Sequence, residues 1–143
     1  MQKIIRMLSA LLCVAALAFV FMPSASYTED KDTILLARTI YALGKDESYA
    51  TKLALGSVVM NRVDSPWFAG DLGEVLDEQQ QFPAGRRYDG ESLQAAHALI
   101  SGARSLDSSA LYYQAADATD PWGEENLVAT SGGYNFYSRS GNL

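Results

Sequence analysis

Apolar residues recur at helical spacing through the first part of the chain. From Thr33 to Gly44 they follow one another at intervals of three and four residues, which predicts a helix that ends at Gly44. The stretch from Tyr49 to Val63 is apolar on a wider face and predicts a buried central helix. Pro66, preceded by an aspartate and a serine, stops this helix.

Two further helices are indicated by their capping residues. Asp71 and Glu74 have the spacing of a capping box and predict a short helix that runs to about Glu78. Asp89 can cap a helix over Gly90–Ser101, whose inward positions are apolar. The stretch between these two helices is polar and irregular, which predicts a loop.

The last third of the chain changes character. Ala110–Tyr113 and Tyr134–Tyr137 are short and rich in aromatic residues, and turn-forming residues separate them. Both segments are predicted to be strands. Because the helices come first and a small antiparallel β element comes last, the sequence predicts an α+β fold.

The first residues have the pattern of a secretory signal. Lys3 and Arg6 form a basic start, residues 7–22 are almost wholly apolar, and small residues follow as far as Ser26. This order predicts a signal peptide over residues 1–26. Retention of the apolar stretch as a membrane anchor is the alternative, although it is slightly short for a span of about 20 residues.

Charge and cysteine content narrow the classes of partner. The chain has 17 acidic and 11 basic residues, a net charge of −6, which argues against nucleic acid and against anionic lipid as partners. Removal of the signal would also remove Cys13, leaving no disulfide and no thiolate nucleophile. The sequence predicts a polar leader over 27–32, one domain over 33–143, and a monomer that is secreted or located in the cell envelope.

Few residues are suited to catalysis. His97 has no nucleophile within a turn and is interpreted as a partly exposed helix residue, and no ligand spacing or glycine-rich loop predicts a metal or a cofactor. Glu47 lies where the first two helices meet. A carboxylic acid beside apolar walls can keep a proton for a leaving group, as glycoside cleavage requires. The residues alone favour the alternative, a negative charge that stabilises the start of the second helix.

Aromatic side chains are concentrated in the second half of the chain. They can stack on the faces of sugars or fill a core, and the residues alone leave both interpretations open. The side chains considered are Trp67, Tyr112, Tyr113, Trp122 and Tyr137.

Several short blocks stand in one order between residues 33 and 137. They are Leu36-Ala37-Arg38-Thr39-Ile40-Tyr41-Ala42, Glu47-Ser48-Tyr49, Val58-Val59-Met60-Asn61-Arg62-Val63, Gln81-Phe82, Ala110-Leu111-Tyr112-Tyr113 with Asp117-Ala118-Thr119 and Trp122, and Gly132-Gly133-Tyr134-Asn135-Phe136-Tyr137. In this order they resemble the SleB-type (spore cortex-lytic) cell wall hydrolase family. Asn61 and Arg62, at the end of an apolar helix, are interpreted as structural.

The resemblance implies a lysozyme-like fold and cleavage of the glycan strand of peptidoglycan, as a muramidase or lytic transglycosylase without metal or organic cofactor. It implies an essential Glu near the end of the first helix, which protonates the glycosidic oxygen. In the transglycosylase variant the sugar's own 6-hydroxyl attacks, so no second carboxylate is required. By matched position, Glu47 is the candidate catalytic acid, and Tyr41, Gln81 and Tyr112 are candidates for substrate binding.

The chain departs from the family pattern close to the expected acid. Laid down without gaps, the first Glu of the family's Glu-x-x-x-Glu falls on Leu43 and only the second falls on Glu47. Loss of a general acid typically slows a reaction by about 10²–10⁴-fold. Thr51 and Lys52 replace a glycine and a glutamine of the family, and Tyr134 replaces a late histidine.

Three hypotheses remain open. The first is an active peptidoglycan hydrolase that uses Glu47, acting on vegetative wall or spore cortex. The second is a catalytically impaired member that binds glycan strands or modulates another wall enzyme, with a wall-associated protein as partner. The third is an unrelated helical envelope protein that matches the pattern by chance.

Overall fold

The computed structural model describes residues 30–78, 81–119 and 122–139. In this part of the chain, four helices precede a three-stranded antiparallel sheet, which confirms the predicted α+β fold. The elements are α1 (Lys31–Gly44), α2 (Tyr49–Asp64), α3 (Leu72–Asp77), α4 (Gly90–Ile100), β1 (Tyr112–Ala115), a short 3₁₀ helix (Glu124–Asn126), β2 (Leu127–Ser131) and β3 (Tyr134–Tyr137). The predicted signal peptide lies outside the described residues.

The central helix α2 is buried over most of its length, as its broad apolar face predicts. Residues 54–62 are all buried, and α1 and α4 pack against this helix. Gly56 permits the close approach, because a β-carbon there would lie 2.3 Å from Leu99 Cδ1 and 2.9 Å from Ile40 Cδ1. Burial of Ile40 and Leu99 stabilises the helical layer by about 1.5–3 kcal/mol for each side chain.

The helix starts follow the capping residues with one exception. Asp71 accepts a hydrogen bond from the Glu74 N–H at 3.1 Å, and Asp89 accepts one from the Ser92 N–H at 2.7 Å, which confirms both caps. The exception is α1, which begins at Lys31 rather than Thr33. The polar leader over 27–32 stays a prediction: α1 includes its last two residues, and residues 27–29 lie outside the described chain. Lys31 and Asp32 are exposed, so this first turn carries no apolar signal.

The sheet has the strand order β1-β3-β2. The prediction for β3 is confirmed, whereas β1 begins two residues later than predicted and extends to Ala115. Pairing nevertheless starts at Leu111, whose N–H donates to the Tyr137 carbonyl at 3.0 Å. The strand β2 is not predictable from the sequence, because its residues are half-buried or exposed and show no regular apolar alternation.

Side chains at the end of α2 tie the helical layer to the sheet. Asn61 Nδ2 donates to the carbonyls of Asp107 and Ala110 at 2.9 and 3.1 Å. Arg62 Nε donates to the Leu111 carbonyl at 2.7 Å. These bonds satisfy backbone groups ahead of β1 and agree with the structural interpretation of both residues. Of the helices in the described ranges, none is long and apolar enough to span a membrane.

Candidate functional site

Glu47 lies at the junction of α1 and α2 and contacts the turn between β2 and β3. Its Oε1 accepts a hydrogen bond from the Gly133 N–H at 3.1 Å, and its own N–H donates to the Gly44 carbonyl at 3.1 Å. The Glu47 side chain is therefore half-buried rather than turned into bulk water. Because Oε1 is engaged, Oε2 is the oxygen that can carry a proton for a leaving group.

Two glycines let the β2–β3 turn approach this carboxylate. Gly132 has a φ of +54°, in the left-handed region that favours glycine. A β-carbon at Gly132 would also collide with Glu47 Oε2, and one at Gly133 would lie 3.0 Å from Oε1. The backbone conformation and the packing against Glu47 thus both require a residue without a side chain at position 132.

Hydroxyl groups fix the same turn to the start of α2. Thr51 Oγ1 lies 2.8 Å from Ser131 Oγ and 3.1 Å from Ser48 Oγ. Ser48 also caps α2 by accepting a hydrogen bond from the Thr51 N–H at 3.3 Å. Thr51, which departs from the family pattern, therefore joins the helix to the end of β2.

Leu43 is the residue on which the first acid of the family pattern falls when that pattern is laid down without gaps. Its side chain is partly buried and packs against the hydrophobic core. Its backbone carbonyl accepts a hydrogen bond of 2.6 Å from the Tyr134 hydroxyl. The two departures from the family pattern at Leu43 and Tyr134 are thus in direct contact.

Two tyrosines beside this corner have perturbed acidity. Burial raises the pKa of the Tyr134 hydroxyl, and the negative charge of Glu47 raises it further. Burial also raises the pKa of Tyr113, reinforced by Tyr134 and partly opposed by Arg62. Both hydroxyls are therefore held in the neutral form as donors.

A chain of contacts leads from Tyr134, which follows the Gly133 bound by Glu47, to a cavity on the other side of Gln81. The ring of Tyr134 meets the ring of Tyr113 edge to face, with centroids 5.9 Å apart. The Tyr113 hydroxyl then donates to the Gln81 carbonyl at 2.7 Å. Gln81, Tyr112, Phe68, Arg62 and Glu78 line this cavity of 410 Å³, called here the Tyr112 cavity.

The floor of the Tyr112 cavity is a buried guanidinium. Arg62 is 1% exposed, and its guanidinium carbon lies 4.7 Å from the ring centroid of Phe68 and 5.1 Å from that of Tyr112. Beyond its bond to the Leu111 carbonyl, its polar contacts are long. Arg62 Nη2 lies 3.4 Å from Gln81 Oε1, and Arg62 Nη1 lies 4.0 Å from Glu78 Oε2. Burial lowers the pKa of Arg62, partly opposed by Tyr112, Glu78 and Tyr113.

The structure brings together Gln81 and Tyr112 but separates them from Tyr41. Tyr41 is half-buried on α1, two residues before Leu43, and does not line the Tyr112 cavity. Glu47 does not line this cavity either, and its side chain is bonded to Gly133, the residue before Tyr134. Phe68 and Glu78 are not predictable from the sequence as members of the site, because neither belongs to a motif.

The other aromatic candidates divide between core and surface. Trp122 is 38% exposed and packs edge to face against two rings of the sheet, 5.3 Å from Tyr112 and 5.6 Å from Tyr137 between ring centroids. Tyr137 is 2% exposed and belongs to the core, whereas Trp67 is 66% exposed. His97 is exposed on α4. Within the ranges that the structure describes, no three His, Cys, Asp or Glu residues are grouped as a metal ion would require.

Comparison with known proteins identifies relatives in one family. The family described as Cell Wall Hydrolase matches residues 46–137, a range that includes Glu47 and begins after Leu43. The spore cortex-lytic enzyme of Bacillus subtilis (strain 168) is 33% identical over 99 residues, which cover 65% of this chain and 32% of that protein. The spore cortex-lytic enzyme of Halalkalibacterium halodurans is 31% identical over 99 residues, which cover 65% of this chain and 30% of that protein. The matched region thus spans about a third of the length of either relative.

Solved structures show the same fold. The catalytic domain of the Bacillus cereus SleB protein aligns with a TM-score of 0.67 at 23% identity, over 75% of this chain and 89% of that one. The catalytic domain of the germination-specific lytic transglycosylase SleB from Bacillus anthracis also aligns with a TM-score of 0.67 at 23% identity. This alignment covers 78% of this chain and 98% of that one. These likenesses confirm the lysozyme-like fold. With the family match, they exclude chance similarity, and the chain belongs to the cell wall hydrolase family, in its SleB-type group.

Proposed function

We propose that this protein cleaves the glycan strand of peptidoglycan and that Glu47 is its general acid. The observation that carries the proposal is the position of the Glu47 carboxylate. It is half-buried at the end of the first helix, where one oxygen is anchored by the Gly133 N–H and the other is left to hold a proton. Orientation by a backbone donor is what a proton-transferring group needs to meet its substrate in a defined geometry.

The Tyr112 cavity supplies a place for a sugar, and Tyr113 and Tyr134 connect it to the turn that holds this acid. Tyr112 and Phe68 offer ring faces for the apolar side of a sugar, and the Gln81 amide can bond an N-acetyl group or a hydroxyl. The volume of 410 Å³ lies within the range of about 300–1,000 Å³ usual for ligand pockets. Tyr41 is proposed as a contact for the part of the strand that passes α1.

One acid is enough for a lytic transglycosylase reaction. Protonated Oε2 of Glu47 gives its proton to the glycosidic oxygen as the bond between that oxygen and C1 breaks. The sugar's own 6-hydroxyl then bonds to C1 and returns its proton to the Glu47 carboxylate, which leaves a 1,6-anhydro product. The similarity to the germination-specific lytic transglycosylase SleB of Bacillus anthracis supports this mode. A muramidase would use water instead.

Digestion of isolated sacculi tests the proposal. The purified protein is expected to release muropeptides, and mass analysis distinguishes anhydro products from hydrated ones. Glu47→Gln is the informative variant, because its amide oxygen can still accept the Gly133 N–H while the amide cannot act as an acid. We expect a loss of about 10²–10⁴-fold in rate with little change in stability. Full activity in this variant would remove Glu47 from the mechanism.

A second candidate function is glycan binding without turnover. It is favoured by Leu43, which places an apolar side chain against the core where the family's first acid stands. Under this alternative, sacculi should retain the protein without release of fragments, and Leu43→Glu should produce lysis. Release of muropeptides by the unmodified protein would exclude it.

Action on peptidoglycan is extracytoplasmic, so we also propose export through residues 1–26. The spore cortex-lytic relatives make cortex the first substrate to test, with vegetative wall as the comparison. N-terminal sequencing of the exported protein checks cleavage after Ser26. Its molar mass in solution tests the predicted monomer, and co-purification from the envelope tests a wall-associated partner.

A further inference from the structure

A second cavity shares a wall with the Tyr112 cavity. It has a volume of 390 Å³ and is called here the Trp67 cavity. Three pairs of consecutive residues form the wall, and in each pair the first residue lines the Trp67 cavity and the second lines the Tyr112 cavity. The pairs are Asn61 with Arg62, Trp67 with Phe68, and Leu111 with Tyr112. The two cavities are therefore adjacent, with a wall one residue thick between them.

The Trp67 cavity has the side chains that sugar recognition uses. The indole of Trp67 is 66% exposed although it is among the largest apolar groups of the chain. Serine hydroxyls at positions 65, 108, 109 and 138 line the same cavity. An exposed aromatic ring beside several hydroxyls can hold the apolar face of a sugar and bond its hydroxyl groups at the same time.

A charged group completes this site. The guanidinium of Arg139 lies 4.1 Å from the ring centroid of Trp67 and also lines the cavity. Stacking of Arg139 on one face of the ring orients the indole and places a cation beside the cavity. Asp64 also lines the cavity, where its carboxylate is paired with Arg104 at 2.8 Å, so the lining carries charges of both signs. Of these, Arg139 suits the carboxylates of the muramyl units and stem peptides of peptidoglycan.

We propose that the Trp67 cavity binds a further N-acetylhexosamine unit of the same glycan strand. The inference rests on the proposed function, because the neighbouring unit occupies the Tyr112 cavity. A polymer fits this arrangement better than a small molecule, since two cavities of similar volume stand side by side with a common wall. A protein partner would be expected to use a flatter surface than this concave and hydroxyl-lined site.

Binding of glycan fragments of increasing length tests the inference. Disaccharide, tetrasaccharide and longer peptidoglycan fragments are titrated calorimetrically into the Glu47→Gln protein, which avoids cleavage. We expect affinity to rise with length. Trp67→Ala should weaken the binding of fragments long enough to reach both cavities by about tenfold, and it should leave unchanged the binding of N-acetylglucosamine, the single-unit reference. Ser108→Tyr, which fills the cavity from an exposed position, should do the same.

Tyr88→Ala is the matched control, since Tyr88 is an aromatic residue 40% exposed that lines neither cavity. It should leave every affinity unchanged. If fragments bind but Trp67→Ala preserves the dependence on length, or weakens all lengths equally, the inference is overturned while the proposed function stands. If no fragment binds the parent protein at any length, the proposed function fails and the inference fails with it.

Discussion

The Tyr134 hydroxyl donates a hydrogen bond of 2.6 Å to the backbone carbonyl of Leu43. This bond joins the last turn of α1 to the first residue of β3, 91 positions apart in sequence. In the ungapped comparison with the family pattern, an acid is expected at Leu43 and a histidine at Tyr134. The two departures therefore form one contact, and that contact holds the helical layer and the sheet together beside Glu47.

Removal of this hydroxyl is expected to weaken the fold modestly. Tyr134→Phe keeps the ring contact with Tyr113 but loses the bond to the Leu43 carbonyl. We expect the free energy of unfolding to fall by about 0.5–1.5 kcal/mol, measured by urea denaturation at neutral pH. Tyr88→Phe, at an exposed position, serves as the control. Equal stability of the two variants would contradict the role assigned to the bond.

The same hydroxyl predicts a loss of stability at alkaline pH. The pKa values of Tyr134 and Tyr113 are raised above the ordinary value of 10.0 in the folded state. The unfolded chain therefore loses these protons first as pH rises, and unfolding becomes more favourable. The stabilisation should be complete below pH 10 and decline as pH rises through the folded pKa values. Urea denaturation at a series of pH values measures the decline, which should be shallower in Tyr134→Phe.

The helices are predictable because their signals are local. Asp71 and Asp89 lie directly before the turns that they cap, and the apolar face of α2 is continuous in sequence. The strand β2 is not predictable in this way. Its side chains are only partly covered, and its pairing with β3 depends on the turn at Gly132 and on packing against α2.

The candidate site is less predictable than the fold for a related reason. Glu47 can be selected from its place between two helices, but its hydrogen bond joins it to Gly133, 86 positions away. The Tyr112 cavity likewise depends on Arg62 having its guanidinium under the aromatic rings while its Nε binds the Leu111 carbonyl. Residue type and spacing do not encode such long-range contacts, so Arg62 is interpretable from sequence only as a structural residue.

Acid should weaken the contact between α2 and α4. Lys52 is 1% exposed, and its Nζ lies 3.0 Å from Glu91 Oε2 and 3.5 Å from Asp89 Oδ2. Burial alone would lower the pKa of Lys52, but the two carboxylates outweigh it and raise that pKa. Burial would likewise raise the pKa of Asp89, but hydrogen bonds from Ser92 and the charge of Lys52 leave it lowered from 3.8.

A lowered carboxyl pKa fixes the sign of the pH dependence. The contribution of Asp89 is present above pH 3.8 and is lost as pH falls through its folded pKa. Asp89→Asn keeps an oxygen for the cap, so it should reduce the acid-dependent part of the loss. Asp89→Ala should in addition lower neutral stability by about 0.5–2 kcal/mol through loss of the cap. Chemical denaturation between acid and neutral pH measures the acid-dependent loss and the neutral stability of each variant. Parallel pH profiles for Asp89→Asn and the parent would contradict the assignment of the acid-dependent loss to Asp89.

Gly132→Ala connects the stability of the turn to the proposed chemistry. Alanine at this position would have to adopt a φ of +54°, which residues with a side chain rarely do. Its methyl group would also collide with Glu47 Oε2 and crowd Thr51 Oγ1. We expect a loss of about 1–3 kcal/mol in unfolding free energy. Because the displaced oxygen is the proposed proton carrier, the release of muropeptides from sacculi should fall as well.

Gly70→Ala is the matched control, since a β-carbon at Gly70 meets nothing within 4 Å. Normal activity in a destabilised but folded Gly132→Ala protein would show that the position of Oε2 does not matter to the reaction, and would count against Glu47 as the acid.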